Sequence, residues 1–537
     1  QSSEQNLNMR LFCAFLVALN LSVCALSAVL GVDYGQEFSK AIVVGPQAPL
    51  EIVLTTDSKR KDVSGLAIKK LRSDSEEIER IYSSSTASMF TRFPSNTFLH
   101  MKSLLGKSIE DEHSIVNYKR QHPGIAFVAS EGNRSTVSFK VAEQQYPIEE
   151  LIAMNMQDTI KRAKQLLREN GGDPHIDHLA LTVPEFFKQE ERNALLDVAY
   201  LSGLPKSYLV NDGMSVAINF AQKQRVFPEG EKQYYVVYDS GAGSTRASLI
   251  AIEQPAAADE PLTIEFCGYG YDEDFGGAKL TGAIADLVKN KFLEKHSSIR
   301  TDEFETNARA VAKVIQASEK AKLILSANAE ALVSIEGLYG DIDFKTKITR
   351  EEFEGYVQDS LPNIRAPIED ALKSQWTDTP VTMKTIKAVI LTGGTTRVPF
   401  VQQELANFVG EELISKNVNA DESAVNGVTI RGIQLSNAFK VKPLNVIDRS
   451  IFSYDARVNK SDSISIFSKG SRYPNSSTIL LTQVKDTKSD FTIDLYEDDR
   501  LYKSLDVKAS SIKRKYNETR CPYGVVYNAT FSLSENR

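Results

Sequence analysis

The chain has 537 residues, 42% of them hydrophobic and 25% charged, with a formal net charge of −7 at pH 7. Such a length exceeds one ordinary core and calls for about two to four domains or lobes, and the composition is that of a soluble globular protein. An acidic balance argues against a dedicated nucleic-acid binder, whose footprint is a basic face, while leaving room for a local basic patch. At the N-terminus, Met9-Arg10 precedes an apolar run over residues 11–26, and Ala25-Leu26-Ser27 offers small residues at a cleavage point. This reads as a secretory signal peptide cut near Ser27 or Ala28, with residues 1–8 as extra sequence before it. Beyond it no stretch is long and apolar enough to span a bilayer. Cys13 and Cys24 leave with the signal and Cys267 and Cys521 remain, so no disulfide framework is expected. Glycosylation sequons begin at Asn133, Asn459, Asn475, Asn517 and Asn528; their crowding near the C-terminus agrees with a lumenal, glycan-decorated surface.

The first element is Val29-Leu-Gly31-Val-Asp33-Tyr-Gly35-Gln36, followed by an apolar run to Val44. Apolar strand, aspartate, glycine turn and apolar strand predict a β-hairpin. A polar, charged stretch over 57–92 shows little periodicity. Residues 149–170 read as a helix, with Ile152, Met156, Ile160, Ala163 and Leu167 at steps of three and four and Gly171 as its stop. A strand over 178–183 ends at Pro184, and 189–201 is a helix closed by Gly203, so the region is α/β. Residues 235–250 repeat the hairpin, with Asp239, Gly241 and Gly243 at its turn. Glycines there let backbone N–H groups approach a phosphate closely, and an aspartate at the strand end would sit beside phosphate-bound Mg²⁺, through water. Two such hairpins in one chain imply two similar lobes gripping one polyphosphate.

Helices follow over 278–294 and 301–327, then short strands near Val333–Ile335 and Ile342–Phe344. Thr349-Arg-Glu-Glu352 is a capping box opening a further helix. Residues 387–391 form a buried strand running into Thr392-Gly393-Gly394-Thr-Thr-Arg397. From about Ser450 the pattern alternates with polar turns and no helical period, which predicts an all-β domain. The expected division is extra residues and signal over 1–28, a nucleotide-binding domain over 29–438, a linker over 439–449 and a β-sandwich over 450–537 that reads as truncated.

The two hairpins, the Gly393-Gly394-Thr-Thr-Arg397 loop, Thr182-Val-Pro184, Leu201-Ser-Gly203, Asp274-Phe-Gly276-Gly277, Ser318-Glu319-Lys-Ala-Lys322 and Asn419-Ala-Asp421-Glu422 resemble, in this order, the seventy-kilodalton heat-shock chaperone family. The match runs over about residues 31–436. Gly35-Gln-Glu-Phe-Ser-Lys40-Ala and the signal peptide are similar to its large endoplasmic-reticulum lumenal branch, the glucose-regulated and hypoxia up-regulated type. That resemblance implies an α/β, actin-like, two-lobed nucleotide-binding domain with RNase H-like lobes, followed by an all-β sandwich.

Carried over by position, the resemblance gives Asp33, Asp239 and Asp212 catalytic roles and has Asp33 and Asp239 flank Mg²⁺ through water. Gly35, Gln36, Gly241, Gly243 and Ser244 would cradle phosphates of ATP or ADP. Glu319 and Lys322 would hold the ribose and adenine side, Gly393, Gly394 and Arg397 would form the adenosine loop, and Asp421 would close the purine pocket. Departures from the family are expected to matter. Its phosphate-contacting lysine aligns with Ala87, its threonine after the first glycine is Gln36, an aspartate is replaced by Arg246, and Asp212 stands for a glutamate. One missing charged contact costs phosphoryl transfer on the order of 2–4 kcal/mol, so binding would survive where hydrolysis does not. The implied activity is nucleotide exchange on the conventional lumenal Hsp70 chaperone, together with holding unfolded or translocating polypeptides. The alternatives are an ATP-hydrolysing foldase with its own cycle, at most a slow ATPase, and an actin-fold small-molecule kinase, which the all-β domain and the secretory address disfavour.

Overall fold

The computed structural model describes residues 28–70, 77–132, 136–224, 226–257, 260–415, 418–481, 490–508 and 527–537. The signal segment, Cys521 and the sequons at Asn133 and Asn517 lie outside them.

Both predicted hairpins form, and each seeds one lobe. In the first, Ala28–Tyr34 pairs antiparallel with Phe38–Gly45, from Val29 opposite Val44 to Tyr34 opposite Ser39. Ile176–Val183 lies parallel beside Ala28–Tyr34, and Ser207–Asn211 lies parallel beside that strand. In the second, Lys232–Ser240 pairs antiparallel with Thr245–Glu253, and Ile386–Thr392 lies parallel beside Lys232–Ser240. The central order, two parallel neighbours and then the hairpin, is the same in the six-stranded first sheet and the seven-stranded second. Burial on both faces follows from helices packing on each sheet, and the strands read accordingly as near-continuous apolar runs.

Helix Ile148–Glu169 buries the whole predicted stripe, Ile152, Met156, Ile160, Ala163 and Leu167. Each of the larger side chains gains about 1.5–3 kcal/mol from leaving water. The lobes meet where helix Asp212–Gln224 crosses helix Ser423–Ser436. A Cβ on Gly427 would lie 1.7 Å from the Ser215 carbonyl oxygen, so only glycine permits this approach. The stretch over 57–92, aperiodic in sequence, holds strand Gly65–Lys70 and helix Ser84–Arg92.

Two expectations change. The single helix over 301–327 is two, Thr301–Thr306 and Ala308–Leu325, because Asn307 turns extended and its side chain accepts the Ala310 N–H at 3.1 Å. Part of the expected linker is sheet: Leu444–Arg449 pairs in parallel with Leu262–Asp272 at the edge of the second lobe. A lone proline, Pro443, stops helix but leaves a following strand free to form.

Beyond it, the strands Tyr454–Val458, Ile464–Phe467, Phe491–Glu497 and Arg500–Val507 form one sheet, and Asn475–Leu480 pairs with Asn528–Leu533 in another. Val458, Leu481, Phe491 and Ile493 fill the space between them, which makes this unit the expected sandwich. It docks on the first lobe. The Gln189 N–H donates to Glu497 at 3.0 Å and the Asn211 amide to Tyr473 at 2.8 Å, and the same amide donates to Asp448 of the connecting strand at 3.0 Å. Arg449 and Arg472 both meet Glu265 of the second lobe, at 2.6 and 2.9 Å. Asn459, Asn475 and Asn528 are exposed. Cys267 is buried and free, and no helix among the described residues is long and apolar enough to cross a membrane.

Candidate functional site

A cleft of about 1570 Å³ lies between the lobes, and every described residue assigned to a nucleotide from the sequence lines it. Both hairpin turns reach its floor. The Gly35 N–H donates to the Phe38 carbonyl at 3.0 Å and the Gly241 N–H to the Ser244 carbonyl at 3.1 Å, so these two close their own turns. The N–H groups of Ala242, Gly243 and Ser244 have no partner among the described residues and are the donors left for an anion. Gln36 is tied sideways instead. Its amide donates to the His100 carbonyl at 2.7 Å and to Ser103 Oγ at 3.0 Å, and it accepts the Ser103 N–H at 3.0 Å.

That tether holds the short helical turn Met101–Leu104, which carries a residue the sequence reading missed. Lys102 is 9% exposed and sits among the floor carboxylates. Burial pushes its pKa down, while Asp212, Asp33 and Asp239 pull it up and Arg246 opposes them. A lysine set among Phe98, Leu99, Met101, Leu104 and Leu105 was the available signal, since a cation in an apolar run is retained only where anions meet it. Ala87, aligned with the family's lysine, lies instead on helix Ser84–Arg92, where its carbonyl accepts from Gln316 at 2.8 Å. The buried cation among the floor carboxylates is therefore Lys102, and Ala87 does not line the cleft.

The floor is a ring of charge. Asp33 receives Lys40 at 3.2 Å and the Thr182 hydroxyl at 2.9 Å. Burial raises its carboxyl, but Lys40, Lys102 and Thr182 more than offset that and hold it below the usual range. The Arg246 guanidinium spans Asp239 and Asp212, paired with both. Its Nε and one oxygen of Asp212 are buried without a partner among the described residues. Asp239 is nonetheless pushed up, by burial first and by the carboxylates of Asp212 and Asp33, with Arg246 and Lys102 pulling it down. Behind them Glu185 accepts the Gly213 N–H at 2.9 Å. Burial and then Asp212 push it up to about 7.

At the far end, Glu319 and Lys322 share a face of helix Ala308–Leu325, 2.7 Å apart. Lys322 also donates to the Gly277 carbonyl at 3.0 Å and to Thr281 at 2.8 Å. Gly393 opens the loop after strand Ile386–Thr392 at φ +84°, and a Cβ there would meet the Ser240 carbonyl oxygen at 2.2 Å, so the turn requires glycine. Gly394 faces open space. Arg397 and Asp421 form a half-exposed pair at 2.6 Å across the mouth. Glu37, in the cleft lining near Glu319, is pushed up to about 7 by burial and Glu319, against Lys322 and Lys61.

The donor set fits a nucleotide: free N–H groups and Lys102 at one end, a glycine loop with a guanidinium plane at the other. It does not offer a divalent ion the same welcome. No group of three or more His, Cys, Asp or Glu among the described residues is placed to hold a metal directly. Asp33 and Asp239, the pair expected to flank Mg²⁺, are each joined already to a cation of the chain.

Comparison with known proteins agrees with this geometry. The family described as Hsp70 protein matches residues 29–507. The chain is 51% identical over 531 residues to heat shock protein 70 homolog LHS1 of Saccharomyces cerevisiae, covering 97% of this chain and 60% of that protein. With the protein of the same name from Candida glabrata it shares 41% over 534 residues, 98% of this chain and 59% of the relative. With hypoxia up-regulated protein 1 of Xenopus tropicalis it shares 36% over 444 residues, 82% of this chain and 66% of the relative. The chain thus spans about 60% of the length of the two fungal relatives. A two-lobed cleft floored by paired glycine-turn hairpins, a sandwich docked beside it and a match along most of its length make the chain a member of the Hsp70 family.

Proposed function

We propose that the cleft binds ATP and ADP and that the chain is a molecular chaperone of the endoplasmic reticulum lumen. It acts there as a nucleotide exchange factor for the conventional lumenal Hsp70 and as a holdase for polypeptides in translocation and folding. The observation that carries the reading is the convergence of both hairpin turns, Lys102 and the Gly393 loop on one cleft. The lumenal address rests on the signal-like N-terminus, the sequons and the likeness to hypoxia up-regulated relatives, with Asn459, Asn475 and Asn528 as exposed glycan acceptors. Bound nucleotide sets the angle between the lobes. The sandwich senses it because Asn211, bonded to Asp448 and Tyr473, directly precedes Asp212, which is paired with Arg246.

The residues divide the work by position. Ala242, Gly243, Ser244 and Lys102 bind the phosphates; Glu319, Lys322, Arg397 and Asp421 orient the nucleoside; Gln36 positions Lys102. Hydrolysis demands in addition a group that orients water against the terminal phosphate, and Asp33, Asp212 and Asp239 are held in ion pairs. Tight binding with negligible single-turnover hydrolysis, together with faster nucleotide release from the partner chaperone, is the expected outcome. No acceleration of release would end the exchange role.

The second reading, an ATP-hydrolysing foldase, draws support from Lys102, a buried cation at the phosphate end where the alignment had found none. Measurable single-turnover hydrolysis, lost in Lys102→Met, would put that reading first.

A further inference from the structure

The two hairpins carry the same charge pair at the same place. Asp33 lies directly opposite Lys40 across the first hairpin, and Asp239 directly opposite Arg246 across the second. In each, a carboxylate at the end of one strand faces a cation on its partner strand, both leaning into the cleft. Opposed residues on neighbouring strands are close enough for their side chains to pair directly. Arg246 does more than Lys40, because it also reaches Asp212 at the start of the bridging helix and so ties three elements at one point. Its side chain is 11% exposed, and those of Asp212 and Asp239 are 6% and 14% exposed. With Lys102, three cations of the chain face the three floor aspartates.

The geometry points to Arg246, with Lys40, as a built-in substitute for the divalent cation: this cleft binds nucleotide without Mg²⁺. A phosphate chain needs positive charge close by, and a divalent ion riding on the phosphates is anchored to a protein through its hydrated shell by one or two free carboxylates. Here those carboxylates are taken up by guanidinium and ammonium groups that are present before the ligand arrives. A planar guanidinium can pair with two carboxylates and keeps its charge at any working pH. Displacing it from Asp239 and Asp212 to admit an ion would strand a buried cation, which is strongly unfavourable.

The inference rests on the cleft being a nucleotide site, and the test separates the two. Affinity for ADP and ATP is measured by titration calorimetry on the whole chain, once with Mg²⁺ and once with EDTA. Dissociation constants within about threefold of each other are expected. Binding that appears only with Mg²⁺ would overturn the inference and leave the nucleotide reading intact. Absence of binding in both conditions would overturn both. Arg246→Asp, which restores an acidic ring, is expected to bind at least about tenfold more weakly in EDTA than in Mg²⁺, and equal affinity in the two would count against the role of Arg246. Arg246→Gln, checked for folding by its melting transition, gives the same contrast with no new charge, and the wild-type titration decides the matter even if both variants fail to fold.

Discussion

The two hairpins are built alike and behave differently. Each sets an aspartate opposite a cation, yet Asp33 is held below the ordinary carboxylate range and Asp239 is lifted above it. The difference lies in the neighbours. Asp33 has Lys40 and the Thr182 hydroxyl to itself, whereas Asp239 shares Arg246 with Asp212 and feels the carboxylates of Asp212 and Asp33 as well, with Lys102 acting on both aspartates. A cross-strand pair therefore does not set the charge state of its members; the third and fourth groups brought in by other elements do. The second hairpin is the crowded one, and the bridging helix depends on it.

The sharpest break of this comparison is to remove each cation in turn. Arg246→Ala leaves Asp239 and Asp212 buried without their partner and is expected to destabilise the chain by about 3–5 kcal/mol, read as a fall in the urea midpoint. Lys40→Ala strands one carboxylate that keeps Thr182 and Lys102, and a loss of about 1 kcal/mol is expected. Equal losses would mean that the shared pairing through Asp212 adds nothing.

The acidic side of the second hairpin also predicts a pH dependence. Glu185 has a folded pKa of about 7 against an ordinary 4.5. Between those values the folded protein keeps a proton that the unfolded chain has lost. Stability then falls as pH rises from about 4.5 through about 7 and is level above, by on the order of 3 kcal/mol for this group. Glu185→Gln should remove that share of the fall in melts taken across this window, while Glu37, also pushed up to about 7, and other carboxyls raised by burial, Glu273 and Glu497 among them, keep theirs. The sign for Asp33 is opposite: its depressed pKa contributes stability that is present above about 3.8 and lost as pH falls through the folded value.

Two smaller effects sharpen the picture of the phosphate end. Lys102→Met is expected to weaken nucleotide binding about tenfold, or about 1.4 kcal/mol. Ala87→Lys, on a helix outside the cleft lining, should leave affinity unchanged within about twofold. Calorimetry on the two variants side by side checks both, and a gain from Ala87→Lys would return that position to the site.

Much of this was legible in the chain. The hairpins, the helix over 148–169, the Thr349 capping box and the sandwich strands rest on local rules: apolar period, glycine at a turn, a hydroxyl that accepts an N–H. The capping box forms as read, with the Glu352 N–H on Thr349 Oγ at 3.1 Å and the Thr349 N–H on Glu352 at 2.8 Å. Asn307 was less legible, because its break of the helix uses a side chain that also tolerates helix interior. Arg246 was noticed as a departure, but its partners lie in other elements, seven residues back in Asp239 and at the start of the bridging helix in Asp212.

By itself, then, the sequence determined which segments become strand, helix and turn, and which glycines and aspartates stand at hairpin ends, since those choices depend on contacts a few residues long. Only the tertiary structure decided that Lys102 rather than position 87 lies among the floor carboxylates, that Leu444–Arg449 joins the second lobe's sheet, and that Arg246 links Asp239 to Asp212. Each of these joins groups far apart in the chain or set by a loop's register, and electrostatic pairing at a buried site depends on distance and desolvation, which the fold alone creates.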